Sequence, residues 1–258
     1  MNDVAKKEES LPTLTNLEEF SGQGTENITA RDTKLPILKI LYANSPVLDE
    51  SDGKYNEKAK QGDIYNEVTG SLYKSKEGVY VVPCLFINTW NEWADRGDSP
   101  GRPYAIYVSQ KDQEAAVGKT QRGDDGKDRL ENGNYIEETA SHYVMVVDEE
   151  KSSTALITMK STQRKKSKKW NSMMMSLRQK RKDGKGFFKP APFTQMYTLK
   201  TVLEKNNLGS LFGGEIEHIG QVESEETIKG AYDFYESCKK GAVRVNHGKE
   251  EQVAKTPF

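Results

Sequence analysis

The stretch GVYVVPCLFINTW, Gly78 to Trp90, is β-branched or aromatic at eight of its thirteen positions. Such side chains fit a pleated, packed surface better than a helix, so the stretch reads as a strand. It does not alternate apolar with polar residues, which predicts that both faces are covered in its middle. Pro83 has no backbone N–H to give to a ladder, so it predicts a bulge or an edge position.

Reading downstream, Asn91 to Arg102 is turn-rich, and Tyr104 to Val108 (YAIYV) is a short strand. Residues 110–137 are polar and rich in Gly and Asp; they read as a long loop, which in a compact domain is either functional or disordered. His142 to Val147 (HYVMVV) and Thr154 to Met159 (TALITM) form a strand hairpin across Asp148–Ser153. Ser161 or Thr162 then caps a helix. Its residues Trp170, Met173, Met174 and Leu177 recur at i, i+3, i+4 and i+7 and make one apolar stripe, and Gly184 and Gly186 end it. Phe193 to Leu203 and Phe212 to Val222 make a second hairpin. The order β-β-β-α-β-β predicts a mainly β chain with some α: an OB-like five-stranded barrel whose helix plugs one end. Residues 91–141 become an elaborated loop between its first two strands.

Upstream lie an apolar cluster at Leu35–Tyr42, a polar loop at 49–62 and a hairpin around Thr69-Gly70. A helix follows the barrel from about Glu225 to Lys240. Its face of Ile228, Ala231, Tyr232 and Tyr235 packs on the barrel or serves as an assembly face for a homo-oligomer. The expected organisation is a mobile acidic arm (1–27), an OB-like nucleic-acid-binding domain with its C-terminal helix (28–245) and a flexible tail (246–258).

Charge is distributed unevenly. Lys160 to Lys189 holds twelve Lys or Arg against Asp183 alone, a net of +11. The other 228 residues hold 26 basic against 38 acidic residues, a net of −12. An acidic body with one concentrated basic element predicts a polyanionic partner. The phosphate-binding candidates are Arg164, Lys165, Lys166, Lys168, Lys169, Arg178, Lys180, Arg181, Lys182, Lys185 and Lys189, with Arg96 and Arg102 nearby in the expected loop. Uncompensated like charges at i,i+4 repel on a helix, a cost that a bound polyanion relieves. Trp170 shares the phase of the apolar stripe and is assigned to the core. Trp90, Trp93, Phe187 and Phe188 are the candidates for stacking unpaired bases, each base contributing about 1–3 kcal/mol. In an OB-fold the plugging helix lies away from the ligand face. Either this helix is displaced into the binding surface, or its cations follow the phosphates beyond the groove.

The stretches ITARDTKLPILKILYANSP (28–46), GDIYNEVTG (62–70), GVYVVPCLFINTWNEW (78–93) and ALITMKSTQRKKSKKWNSMMMSL (155–177) carry a resemblance. Over roughly residues 28–245 the chain resembles a family of tailed-bacteriophage proteins labelled single-stranded-DNA-binding proteins. The resemblance implies single-stranded DNA as partner and a role in phage DNA replication or recombination. A strand-annealing recombinase, or a phage protein docking its basic helix on an acidic host protein, would use the same charge.

Catalytic patterns are sparse. His142, His218 and His247 are scattered, and Gly118-Lys119-Thr120 lacks the upstream glycine of a phosphate loop. Asp124, Asp125, Asp128 and Glu131 are the acidic residues nearest a two-metal nuclease pattern. We expect no enzyme, no metal and no cofactor. Cys84 and Cys238 are too few for a disulfide framework. No apolar stretch approaches the ~20 residues that span a bilayer, and MNDVAKKEES has no signal-peptide core, so a cytoplasmic protein is expected. The final Pro257-Phe258 after Glu250 and Glu251 faintly resembles the partner-recruiting tip of bacterial single-stranded-DNA-binding proteins, which implies replication or recombination proteins as further partners.

Overall fold

Valine, isoleucine and aromatic runs form the long strands of the chain. The computed structural model describes residues 19–29, 32–95, 97, 102–148, 152–206 and 209–241. Most of the arm (1–18), the tail 246–258 and Arg96 lie outside the described residues. In chain order the elements are β1 (Leu38–Ile40), β2 (Ile64–Asn66), β3 (Leu72–Tyr73), β4 (Val79–Trp93), β5 (Ala105–Tyr107), α1 (Gln110–Val117), β6 (Gln121–Arg122), β7 (Asp128–Arg129), β8 (Tyr135–Val147) and β9 (Ser152–Lys160). There follow α2 (Arg164–Ser176), β10 (Gln179–Lys180), β11 (Phe187–Phe188), β12 (Gln195–Asn206), β13 (Gly209–Gln221) and α3 (Glu225–Lys239).

The main sheet has eight strands in the order β13-β12-β4-β8-β7-β6, with β5 beside β4 and β9 beside β8. It is antiparallel and curls into a half-barrel. The five-stranded barrel arrangement is not established: among the described residues no ladder joins β9 to β13, so the curl stays open there. β1, β2 and β3 form a separate small sheet, with the expected hairpin turn at Gly70 (φ +73°).

β4 runs in the middle of the sheet, between β12 and β8. Pro83 therefore marks a bulge, not an edge. The register passes from Pro83↔Val144 to Leu85↔Tyr143 and leaves Cys84 as the extra residue. A bulge shifts the side-chain alternation by one. Val79 and Val81 face the inner core before it, and Phe86 faces that core after it. Both faces are covered, as the unbroken apolar run requires. The inner cluster joins Val79, Val81, Val144, Ile157, Leu199 and Ile216 to Trp170 and Met174 of α2. The outer cluster joins Val82, Cys84, Tyr143, Met145 and Leu156 to Ala231, Phe234 and Cys238 of α3. α3 thus packs through Phe234 and Cys238 as well as Ala231, while the expected Tyr232 stays 45% exposed.

Four expectations need correction. The segment 110–137 is not an unstructured loop: Ser109 caps α1 by accepting from the Asp112 N–H, and β6 and β7 extend the sheet. β8 begins seven residues before His142, because the polar residues Glu137 and Glu138 lie on the β4 ladder and the ladder itself satisfies their backbone. α2 stops at Ser176 instead of reaching Gly184. Arg178 Nη1 donates to the Met175 and Leu177 carbonyls and closes the helix end, and Leu177 leaves the helical conformation (ψ 136°). Gly184 (φ +74°) and Gly186 (φ +89°) then turn the chain back into the two-stranded ribbon β10–β11. Neither Ser161 nor Thr162 caps α2; both lie in a 3-10 turn, and Gln163 occupies the cap position with no side-chain hydrogen bond to the helix. Among the described residues no helix is long and apolar enough to cross a membrane.

Candidate nucleic-acid interface

The spacing of α2 sorts its side chains by fate. Ser167, Trp170 and Met174 are buried on one stripe. Trp170 is fully buried and stacks on His142, with ring centroids 4.3 Å apart, and meets Tyr197 edge-on at 5.8 Å. Ser167 Oγ lies 2.8 Å from His142 Nε2. Burial, reinforced by the charge of Arg164, pushes the His142 pKa down to about 3. That imidazole is neutral at ordinary pH and anchors the helix to β8.

Two of the predicted cations are committed to carboxylates. Arg164 pairs with Glu138 of β8, and Lys166 pairs with Glu204 of β12. Burial alone would raise the Glu138 pKa. Hydrogen bonds from Arg164 and Asn88, with the charges of Arg164 and Lys168, outweigh it and hold the carboxyl below its usual range. These pairs fix α2 on the sheet.

Lys160, half-buried, also pairs with Glu137, and the nine remaining cations of the run are exposed: Lys165, Lys168 and Lys169 on α2, Arg178 at its end, and Lys180, Arg181, Lys182, Lys185 and Lys189 on and around the ribbon. None of these nine makes an ion pair with a described carboxylate. α2 also carries no acidic residue in its first turn. Arg164, Lys165 and Lys166 occupy that turn, at the positive end of the helix dipole, an arrangement that an anion stabilises. The ribbon has almost no core of its own, and Arg181 to Lys189 are exposed throughout. Phe187 is 65% and Phe188 39% exposed, so both rings stand among the free cations. They form β11.

The tryptophans near the end of β4 differ from each other. Trp93 lies within the strand and is 4% exposed, with Lys160 Nζ 4.5 Å from the ring centroid, so it offers no open face for a base in this structure. Trp90 is half-buried and sits opposite Glu138 on one side and Tyr107 on the other. Arg102 is exposed just before β5.

One polar cluster escaped the sequence reading. Glu92 is 8% exposed and accepts from Tyr107 Oη (2.8 Å), Asn132 Nδ2 (3.0 Å) and Asn134 Nδ2 (2.6 Å). Burial raises its pKa, but the three donors outweigh that and leave it lowered. Its signal was a carboxylate between two tryptophans (Trp90-Asn91-Glu92-Trp93), which a buried strand tolerates only with donors at hand. Two of the four acidic candidates for metal binding are committed to arginines: Asp125 pairs with Arg129 at 2.6 Å, and Asp128 with Arg122 at 2.9 Å. Among the described residues no three His, Cys, Asp or Glu side chains are grouped to hold a metal ion.

The chain belongs to the Pam3 phage gp34-like protein family, whose model matches residues 5–244. No curated protein and no solved structure matches it.

Proposed function

We propose that this phage-family protein binds single-stranded DNA in phage replication or recombination, without catalysing a reaction. The observation that carries the reading is the set of nine exposed cations on α2 and the ribbon, none paired with a described carboxylate, with two exposed phenylalanines among them. Cations hold phosphates at any sequence, and rings stack on bases that are unpaired. Paired bases inside a duplex present no open face to a ring, so the combination favours a single strand. We read the half-barrel as an OB-like barrel left open between β9 and β13. Its order β9-β8-β4-β12-β13 is the order such a barrel takes when opened at that seam. In this reading the backbone runs along the outside of α2 and the ribbon, since the carboxylates Glu92 and Glu138 stand on the inner face beside Trp90.

The test is a salt-titrated binding series with oligo-dT, a duplex of equal length and the matching RNA. Oligo-dT should bind most tightly, with affinity falling steeply as salt rises. Equal or tighter duplex binding would overturn the single-strand assignment. Binding that ignores salt would overturn the role of the cations.

A further inference from the structure

The ribbon has two unlike faces. Gln179 lies opposite Phe188, and Lys180 opposite Phe187. Residues directly opposite on paired strands share a face. The Gln179 amide donates to Gln221 Oε1 at 2.6 Å, which turns the Gln179–Phe188 face toward the end of β13. Lys180 and Phe187 therefore look away from the body, and Phe187 is the more exposed ring, at 65% against 39%. The turn between the strands, Arg181 to Gly186, is exposed throughout.

We propose that Phe187 is a wedge for junctions between single-stranded and double-stranded DNA. The ring takes the place of the next base pair at the last closed step, while Lys180 and the turn cations hold the phosphates of the diverging strands. The proposal rests on the single-strand reading above and adds the shape of the substrate. Magnitude limits what the wedge can do. One stacked ring is worth about five- to hundredfold in affinity. Opening one base-pair step costs about tenfold. A single ring thus balances one step at an existing fork or end and leaves the interior of a duplex closed.

The experiment uses the full chain with three DNAs: a fork carrying 2-aminopurine at its first paired position, the unpaired arm alone, and a closed duplex with 2-aminopurine in its interior. The expected result is fork binding up to about tenfold tighter than binding of the arm, the ring's gain less the cost of the opened step. The 2-aminopurine signal should change at the fork and not in the closed duplex. Phe187→Ala should abolish the fork preference and the fluorescence change and bind the arm several-fold more weakly, through the cations and Phe188 that remain, and Phe187→Trp should keep the preference and the signal. If the arm binds but the fork is not preferred, or if Phe187→Ala keeps the preference, the wedge falls and the single-strand reading stands. If no DNA binds at all, both fall.

Discussion

Removing the ribbon's charge should cut the salt dependence of DNA binding by about half. Nine exposed cations are available: four on α2 and its end, and five on and around the ribbon. On a single strand the slope of log K against log salt is about −0.7 per phosphate neutralised. If all nine engage, the slope is about −6, a loss of about five thousandfold between 50 and 200 mM salt. Replacing Lys180, Arg181, Lys182, Lys185 and Lys189 with Gln leaves four cations and a slope of about −3, or a loss of about fiftyfold over the same range. Arg164→Gln is the internal comparison. Arg164 is already paired with Glu138, so its loss should leave the slope nearly unchanged while lowering thermal stability, because Glu138 loses its partner. Fluorescence anisotropy of a labelled oligo-dT at five or six salt concentrations measures both. The reasoning is refuted if the five-fold ribbon variant keeps the wild-type slope, or if Arg164→Gln lowers it as much as an exposed lysine does.

Two predictions concern the scaffold. His142 is held neutral with a pKa near 3, against an ordinary value of 6.5, so its contribution is complete above pH 6.5 and is lost as pH falls toward 3. Chemical denaturation should show about 2 kcal/mol less stability at pH 5 than at pH 7, a difference that His142→Gln removes; an unchanged pH dependence in that variant would refute the assignment. Gly78 has φ +73°, and a Cβ there would lie 2.5 Å from the Leu199 carbonyl oxygen, a backbone atom that cannot step aside. Gly78→Ala should therefore cost more than about 2 kcal/mol, whereas Gly53→Ala, which meets nothing within 4 Å, should be near neutral in the same denaturation measurement.

The elements legible in the sequence were those whose signal is local and apolar. The GVYVVPCLFINTW run became the central strand with a bulge at Pro83, and the Trp170–Met174 phase became the buried stripe of α2. What escaped was polar structure held by distant partners. Nothing near Glu92 announces that Asn132 and Asn134, forty residues on, supply its donors. Nor does the composition of residues 110–137 reveal that Asp95, Lys127 and Arg129 tie that insertion to the end of β4. The ribbon was missed for a different reason. Two residues per strand give no periodicity to detect, and the glycines that seemed to end a helix instead form the turn of a hairpin. The charge excess itself needed only counting, but its division into committed cations (Arg164 and Lys166) and free ones depends on Glu138 and Glu204, which lie in other strands.

The central claim is that DNA lies along α2 and the ribbon, and lysine protection tests it most directly. Brief acetylation of the protein with and without oligo-dT, read lysine by lysine by mass spectrometry, should show protection at Lys165, Lys168, Lys169, Lys180, Lys182, Lys185 and Lys189. Lys54, Lys111 and Lys229, also exposed but outside the run, should react alike in both samples. Protection confined to lysines outside residues 160–189, or spread evenly over both sets, would contradict the account.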